Sequence, residues 1–255
     1  MILVLAGTRD GRELAAKLAN LGFSVMASVV SVYGQQLAQE KIGRVHEGML
    51  DETGLVQLIQ QEGICLLVDA SHPYAVNVSR HAMQACNRCG VEYLRYERPS
   101  AVLPDYERLI VTEDYPAAAQ TAAGLGHTVF LTTGSRHLGI FKNHPCLQQH
   151  RLIARVLPEP DVLAECIKLG FQPKDIVALQ GPFSHELNMA LFKDYQADVV
   201  ISKNSGSIGG TDTKISAAIE LGLPLVVIDR PPMEYSNIVH SFEQVLQQVE
   251  QHFRK

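Results

Sequence analysis

The 255-residue sequence contains no tryptophan, from which nothing follows, and three other shortages that exclude more. Positive charge is scarce: 22 Lys and Arg against 27 Asp and Glu leave a formal net charge of −5. No basic run and no basic stretch interleaved with aromatics occurs, which argues against a nucleic acid as partner. Long apolar runs are missing as well. The opening strand is far too short to span a bilayer, and no positive leader or small-residue cleavage site precedes it, so a cytoplasmic protein without a membrane partner is expected. Cysteine is sparse and odd in number. Cys65, Cys86, Cys89, Cys146 and Cys166 are scattered in a way that fits reduced thiols, not a disulfide framework. Cys86-Asn87-Arg88-Cys89 has C-x-x-C spacing, but it falls near the end of a helix, where the dipole disfavours a thiolate. No second pair completes a zinc site, and no metal ligand set is expected.

What is present is an ordinary globular composition, 46% hydrophobic and 19% charged, in a chain long enough for two domains. Short apolar runs alternate with helical periodicity, the signal for βα units on a mostly parallel sheet. Ile2 to Leu5 reads as a buried strand, and Leu14, Leu18 and Leu21 then recur on one helix face until Gly22. Phe23 to Val30 is a second strand, Asp51 caps a helix to Glu62, Cys65 to Val68 is a third strand, and Pro73 opens a helix over about 74–87. The stretch "YERPSAVLPDYER" lacks either periodicity and marks a boundary. The pattern restarts with strands at 128–131, 151–156, 176–179, 198–202 and 223–228, with helices at 159–169, 184–193 and 212–221. Ile238, Phe242, Val245, Leu246, Val249 and Phe253 form one face of a final helix. The expected fold class is α/β: two Rossmann-like doubly wound domains with mainly parallel sheets, residues 1–100 and 101–255, the second carrying the final amphipathic helix, with a central cleft for ligand.

Four stretches carry chemistry. "LAGTRDGREL" joins strand to helix through Gly7, the setting in which backbone approaches a pyrophosphate and a helix N-terminus supplies unpaired N–H groups. Its Gly7-x3-Gly11 spacing matches neither GxGxxG nor the P-loop, and a tight turn needing glycine for packing alone is the plainer alternative. "LTTGSRHLG" repeats the arrangement with Thr133, Gly134 and Ser135. "ISKNSGSIGGTDTKISAA" places Lys203 at a strand end and Lys214 in the following helix, around a Ser/Gly loop that a flexible connector would also explain. "DASHPYA" puts Asp69, Ser71, His72 and Tyr74 at the carboxyl end of a strand, where open α/β sheets bind ligands; a lone histidine there is more often structural than catalytic.

Taken in order, "LAGTRDGRELA", "DASHPYA" with "YLRYERP", "LTTGSRHLGIF", "ARVLPEP", "LQGPFSHELNMALF" and "ISKNSGSIGGTDTKISAAIELGLPLVVIDRP" resemble the precorrin-6A reductase family of cobalamin biosynthesis, in its cobalt-precorrin form. Ala6 stands where the family's opening turn has its first glycine. The resemblance implies hydride transfer from a nicotinamide cofactor to the C18–C19 double bond of a carboxylate-rich tetrapyrrole, with any cobalt arriving in the substrate. It implies cofactor binding by Gly7, Thr8, Arg9, Gly11, Ser31, Thr133, Gly134 and Ser135, and substrate binding by Arg136, Lys203, Ser205, Gly206 and Lys214. His72 and Tyr74 are the implied catalytic residues, with His72 relaying a proton. NADH is expected over NADPH, because Ala27 to Gln39 carries no basic residue to meet a 2′-phosphate. The alternatives are an adenosyl-cofactor methyltransferase and a non-catalytic dinucleotide-binding sensor.

Overall fold

A computed structural model of the chain describes residues 1–30, 32–206 and 211–254. It divides into two compact units, Met1–Pro99 with Pro232–Lys255, and Ser100–Pro231.

The first unit is built on strands β1 (Ile2–Leu5), β2 (Val25–Val29), β3 (Val45–Glu47), β4 (Leu66–Asp69), β5 (Glu92–Tyr96) and β12 (Ile238–Val239), in the order β12-β5-β4-β1-β2-β3. Every pairing is parallel. Helices cover both faces, so the central strands read as unbroken apolar runs. Ile2 and Val4 face α1 (Arg9–Asn20) and α10 (Phe242–Arg254), whose Leu14, Leu18, Val245 and Val249 join one core. Leu3 and Leu5 point the other way, toward α3 (Glu52–Glu62) and α4 (Val76–Cys89). Between β2 and β3 lies α2 (Val32–Ile42), a weakly amphipathic helix that leaves little trace in the sequence.

The final segment departs from the expected division. Residues 232–255, assigned with the second domain by their place in the chain, pack with the first. Ile238 is not on the helix at all: it belongs to β12 and pairs with Arg95 of β5. A contiguous boundary cannot represent a chain that returns to its first sheet.

The second unit contains β6 (Leu109–Thr112), β7 (Thr128–Leu131), β8 (Arg151–Val156), β9 (Ile176–Ala178), β10 (Val199–Lys203) and β11 (Leu225–Ile228), ordered β6-β11-β10-β7-β8-β9 and parallel throughout. Its helices are α5 (Tyr115–Ala123), α6 (Leu138–Asn143), α7 (Pro160–Lys168), α8 (His185–Asp194) and α9 (Thr211–Glu220). Each sheet reverses its winding once, between β1 and β4 in the first unit and between β7 and β10 in the second. Loops leaving the carboxyl ends of such strand pairs diverge, and the crevice they leave is where open α/β sheets bind ligands. Among the described residues no helix is long and apolar enough to cross a membrane.

Candidate active site

At the first reversal, Ala6-Gly7 follow β1 and Thr8 caps α1. The Thr8 hydroxyl accepts from the Gly11 N–H at 3.0 Å and donates to the Ala70 carbonyl at 3.0 Å, tying the loop after β1 to the loop after β4. The Thr8 side chain is thus committed to the cap, leaving its backbone N–H to face a ligand. Gly11 is required for packing: a Cβ there would lie 2.9 Å from the Ala70 oxygen and 3.1 Å from the Ala6 Cα. Gly7 is the opposite case. It is exposed, and a Cβ on it would meet no atom within 4 Å, so the space over the N-terminus of α1 is open to a ligand and closed to one by any bulky side chain. This cradle fits a dinucleotide. Arg9 is exposed and paired with Glu13 at 2.8 Å. Ser31 lies outside the described residues.

Across the reversal, the Ala75 N–H donates to the His72 carbonyl at 2.7 Å, closing a turn with Pro73 inside it. Pro73 therefore does not open the helix; α4 begins at Val76, and His72 sits on a loop with Ala75 as the cap residue. His72 Nδ1 accepts from the Tyr74 N–H at 3.3 Å, which places the proton of a neutral ring on Nε2, and the two rings are 5.5 Å apart. Beneath this loop Asp69 is fully buried. It accepts from Ser79 Oγ (2.5 Å), Tyr93 OH (2.8 Å) and Arg95 Nη1 (3.0 Å). Burial pushes its carboxyl up, but Arg95 and the hydroxyls of Ser79 and Ser71 outweigh it and hold the pKa below the ordinary value. Arg95 also donates to the Ser71 carbonyl at 3.1 Å and pairs with Glu97 at 2.8 Å, so the loop carrying His72 rests on a satisfied ionic network. The same network bears on the C-x-x-C pair: Cys86 is buried at its edge, and burial, Cys89 and Asp69 push its thiol up to about 12, which makes it inert.

The second reversal gathers a different chemistry. Lys203 ends β10, Lys214 lies in the first turn of α9, and Arg155 is the penultimate residue of β8. Arg155 and Lys214 are buried. Burial, with Arg155 and Lys203 adding repulsion, lowers Lys214 to about 7; burial and Arg136 lower Lys203 to about 8; burial alone lowers Arg155 to about 10. Orphaned polar atoms collect at the same end of the sheet: Thr112 Oγ1, Tyr115 OH, Thr133 Oγ1, His137 Nδ1 and Ser202 Oγ are buried without a hydrogen-bond partner among the described residues. Ser205 is buried and its hydroxyl lies 3.2 Å from that of Thr211, while Gly206 takes a positive φ of 81° that closes the turn after β10. Arg136 is exposed. It shares a cavity of about 320 Å³ with Ser135, Asp161 and Glu165, and those carboxylates make that cavity a poor receptor for another.

The model of the precorrin-6x reductase CbiJ/CobK family matches residues 1–250. The chain belongs to this family. A cobalt-precorrin-6A reductase of Priestia megaterium is 38% identical over 247 residues, covering 96% of each chain. One from Salmonella typhimurium is 37% identical over 231 residues, covering 90% of this chain and 87% of the other. The solved structure of a precorrin-6A reductase, CobK, superposes with a TM-score of 0.82 at 30% identity, over 98% of this chain and 96% of that one. The precorrin-6x reductase match places the two doubly wound α/β sheets in a known fold. The residues expected to bind cofactor divide between the units: Gly7, Thr8, Arg9 and Gly11 lie beside the His72 loop, whereas Thr133, Gly134 and Ser135 stand with Arg136 and Lys203 at the other reversal. The expected basic rim is also different in kind, since Lys214 is buried. Arg155, hydrogen-bonded to Asn188 at 2.7 Å, lies outside the motifs that carry chemistry in the sequence. Its sequence signal is Arg155 set within the apolar stretch "LIARV", a position where burial of the charge needs a reason.

Proposed function

We propose that this chain reduces the C18–C19 double bond of precorrin-6A, in its cobalt-loaded form, using NADH. The observation that carries the reading is the Gly7 cradle at the β1/β4 reversal, joined through the Thr8–Ala70 hydrogen bond to the loop that holds His72. A nicotinamide bound there supplies the hydride. The backbone N–H groups of Gly7, Thr8 and Arg9, at the start of α1, hold its phosphates. His72 holds its Nε2–H toward the substrate, and it delivers a proton to the carbon framework from the imidazolium form, in which Nδ1 has taken up a proton and released the 3.3 Å contact with the Tyr74 N–H, so that a neutral ring is left behind. In the second unit Lys203, Lys214, Ser205 and Gly206 receive peripheral carboxylates of the macrocycle, with Thr133, Gly134, Ser135 and Arg136 on the neighbouring turn.

Membership of the family supports a nicotinamide cofactor and a tetrapyrrole substrate. NADH is favoured because the segment after β2, Ala27 to Gln39, carries no basic residue to meet a 2′-phosphate; of the two that follow, Lys41 lies in the last turn of α2 and Arg44 is paired with Glu62 at 2.9 Å. Cobalt loading is favoured because the relatives from Priestia and Salmonella carry cobalt in their names, and the precorrin-6A reductase of Rhodobacter capsulatus is less similar, at 31% identity. Five free cysteines suit a reducing cytoplasm.

The test is oxidation of NADH and of NADPH, followed by absorbance, with cobalt-loaded and cobalt-free precorrin-6A. Macrocycle-dependent oxidation with the higher kcat/KM for NADH and the cobalt form is expected; no oxidation of either cofactor refutes the reading. In the same assay His72→Ala should lower kcat by about 10²-fold and remove one limb of the pH profile. A raised KM with kcat and pH profile intact would make His72 a positioning residue.

A further inference from the structure

Two cations of the second unit are buried without an acid. Neither Arg155 nor Lys214 has a carboxylate within ion-pair distance among the described residues, although buried charge is ordinarily paired. The arginine is held in place. Its Nη1 donates to Asn188 Oδ1 at 2.7 Å, and its guanidinium carbon lies 4.4 Å from the centre of the Phe183 ring. Asn188 is itself fully buried and fixed, because its Nδ2 donates to the Ser184 carbonyl at 2.8 Å and lies 3.4 Å from Thr213 Oγ1. Thr213 Oγ1 donates to the Phe183 carbonyl at 3.0 Å. These bonds join the loop before α8, α8 and the first turn of α9 around one guanidinium, and Lys214 follows Thr213 directly. One N–H of the guanidinium goes to Asn188, and the others find no partner among the described residues. A lysine in the first turn of a helix also opposes the dipole, which favours an anion there.

We infer that Arg155 and Lys214 form a subsite for one carboxylate of the substrate, with Asn188 orienting the guanidinium. The inference rests on the macrocycle reading, which supplies a ligand bearing several carboxylates. A guanidinium held by one N–H presents its remaining edge to a carboxylate, and the ammonium closes the site from α9. The subsite also moves a proton. Lys214 is faced by Arg155 from β8 and Lys203 from β10, with Asp212 exposed on its own helix, and burial with that repulsion lowers it to about 7. In the free protein at about pH 8 the amine is therefore mostly neutral, and it takes a proton from solvent as the carboxylate docks.

The probe is uroporphyrin, a tetrapyrrole rich in carboxylates, titrated calorimetrically into the full chain at about pH 8 in two buffers of different ionisation enthalpy. Wild type should take up close to one proton more on binding than Lys214→Arg does, any remaining uptake in the variant belonging to Lys203. Lys214→Arg, which stays charged, should bind as tightly. Arg155→Met and Lys214→Met should each lose about tenfold or more in affinity and raise the KM for precorrin-6A by a similar factor with kcat little changed. Arg155→Lys, which keeps charge but not the fork, should fall between, and it stands in for Arg155→Met should that variant not fold. Unchanged affinity in both the Arg155 and Lys214 variants, or uptake as large in Lys214→Arg as in wild type, overturns the subsite. The two layers separate cleanly: wild type turning over precorrin-6A while Arg155→Met keeps its KM refutes the subsite alone, whereas wild type failing to turn it over refutes the macrocycle reading and the subsite with it.

Discussion

Arg95 and Arg98 in the first unit and Arg155 and Lys214 in the second are all buried, yet only the first two face carboxylates. Arg95 meets Asp69 at 3.0 Å and Glu97 at 2.8 Å, and Arg98 meets both oxygens of Asp10 at 2.7 and 2.8 Å. Arg155 has an asparagine, and Lys214 has cations for neighbours. The lesson is that buried charge has two uses here. Where the counter-ion is built in, the charge orders a loop: Arg95 holds the Ser71 backbone and so the His72 turn. Where it is left out, the fold carries an electrostatic cost that an arriving anion offsets.

The contrast can be broken most violently on the paired side. Arg95→Met leaves Asp69 and Glu97 facing each other without a cation, and should cost about 3–5 kcal/mol in denaturant unfolding. A loss below about 1 kcal/mol would mean that the network is not structural. The turn glycines extend the comparison between built-in and ligand roles. Gly11→Ala drives a methyl against the Ala70 carbonyl and should destabilise by about 1–3 kcal/mol, whereas Gly7→Val should leave unfolding unchanged and weaken NADH binding about tenfold or more. Equal NADH affinity in Gly7→Val would move the cofactor off this turn.

The two kinds of charge also answer to pH in different windows. Asp69 titrates below its ordinary value of 3.8 in the folded chain, so its contribution is present above that value and is lost as pH falls through the depressed one. Lys214 titrates at about 7 when folded and at 10.5 when unfolded, so between those values the unfolded chain binds more protons and stability rises with pH. The slope is at most about 1.4 kcal/mol per pH unit, and unfolding curves at several pH values should show it in wild type and not in Lys214→Met.

Much of the frame was legible. Strands such as Ile2–Leu5 announce themselves because a strand buried on both faces has no polar positions to spare, and Asp51 was readable as a cap, its carboxylate accepting from the Gly54 N–H at 2.8 Å. The Gly7-Thr8 turn could be found because strand, glycine and helix follow one another in the chain. What stayed hidden depends on contacts distant in sequence. The return of α10 to the first sheet is one case, and the split of the expected cofactor residues between two reversals is another. Burial of Lys214 is a third, since a lysine among threonines and serines reads as solvated until α8, β8 and β10 close around it.

The central claim is that the second unit gives up stability for anion binding, and its most direct test is a pair of melting curves. Without ligand, Lys214→Met should melt above wild type, because a buried amine that must be desolvated and give up its proton on folding has been removed. With saturating uroporphyrin the order should reverse, because only wild type keeps the full carboxylate subsite. A variant that melts below wild type in both conditions, or above it in both, would contradict the account.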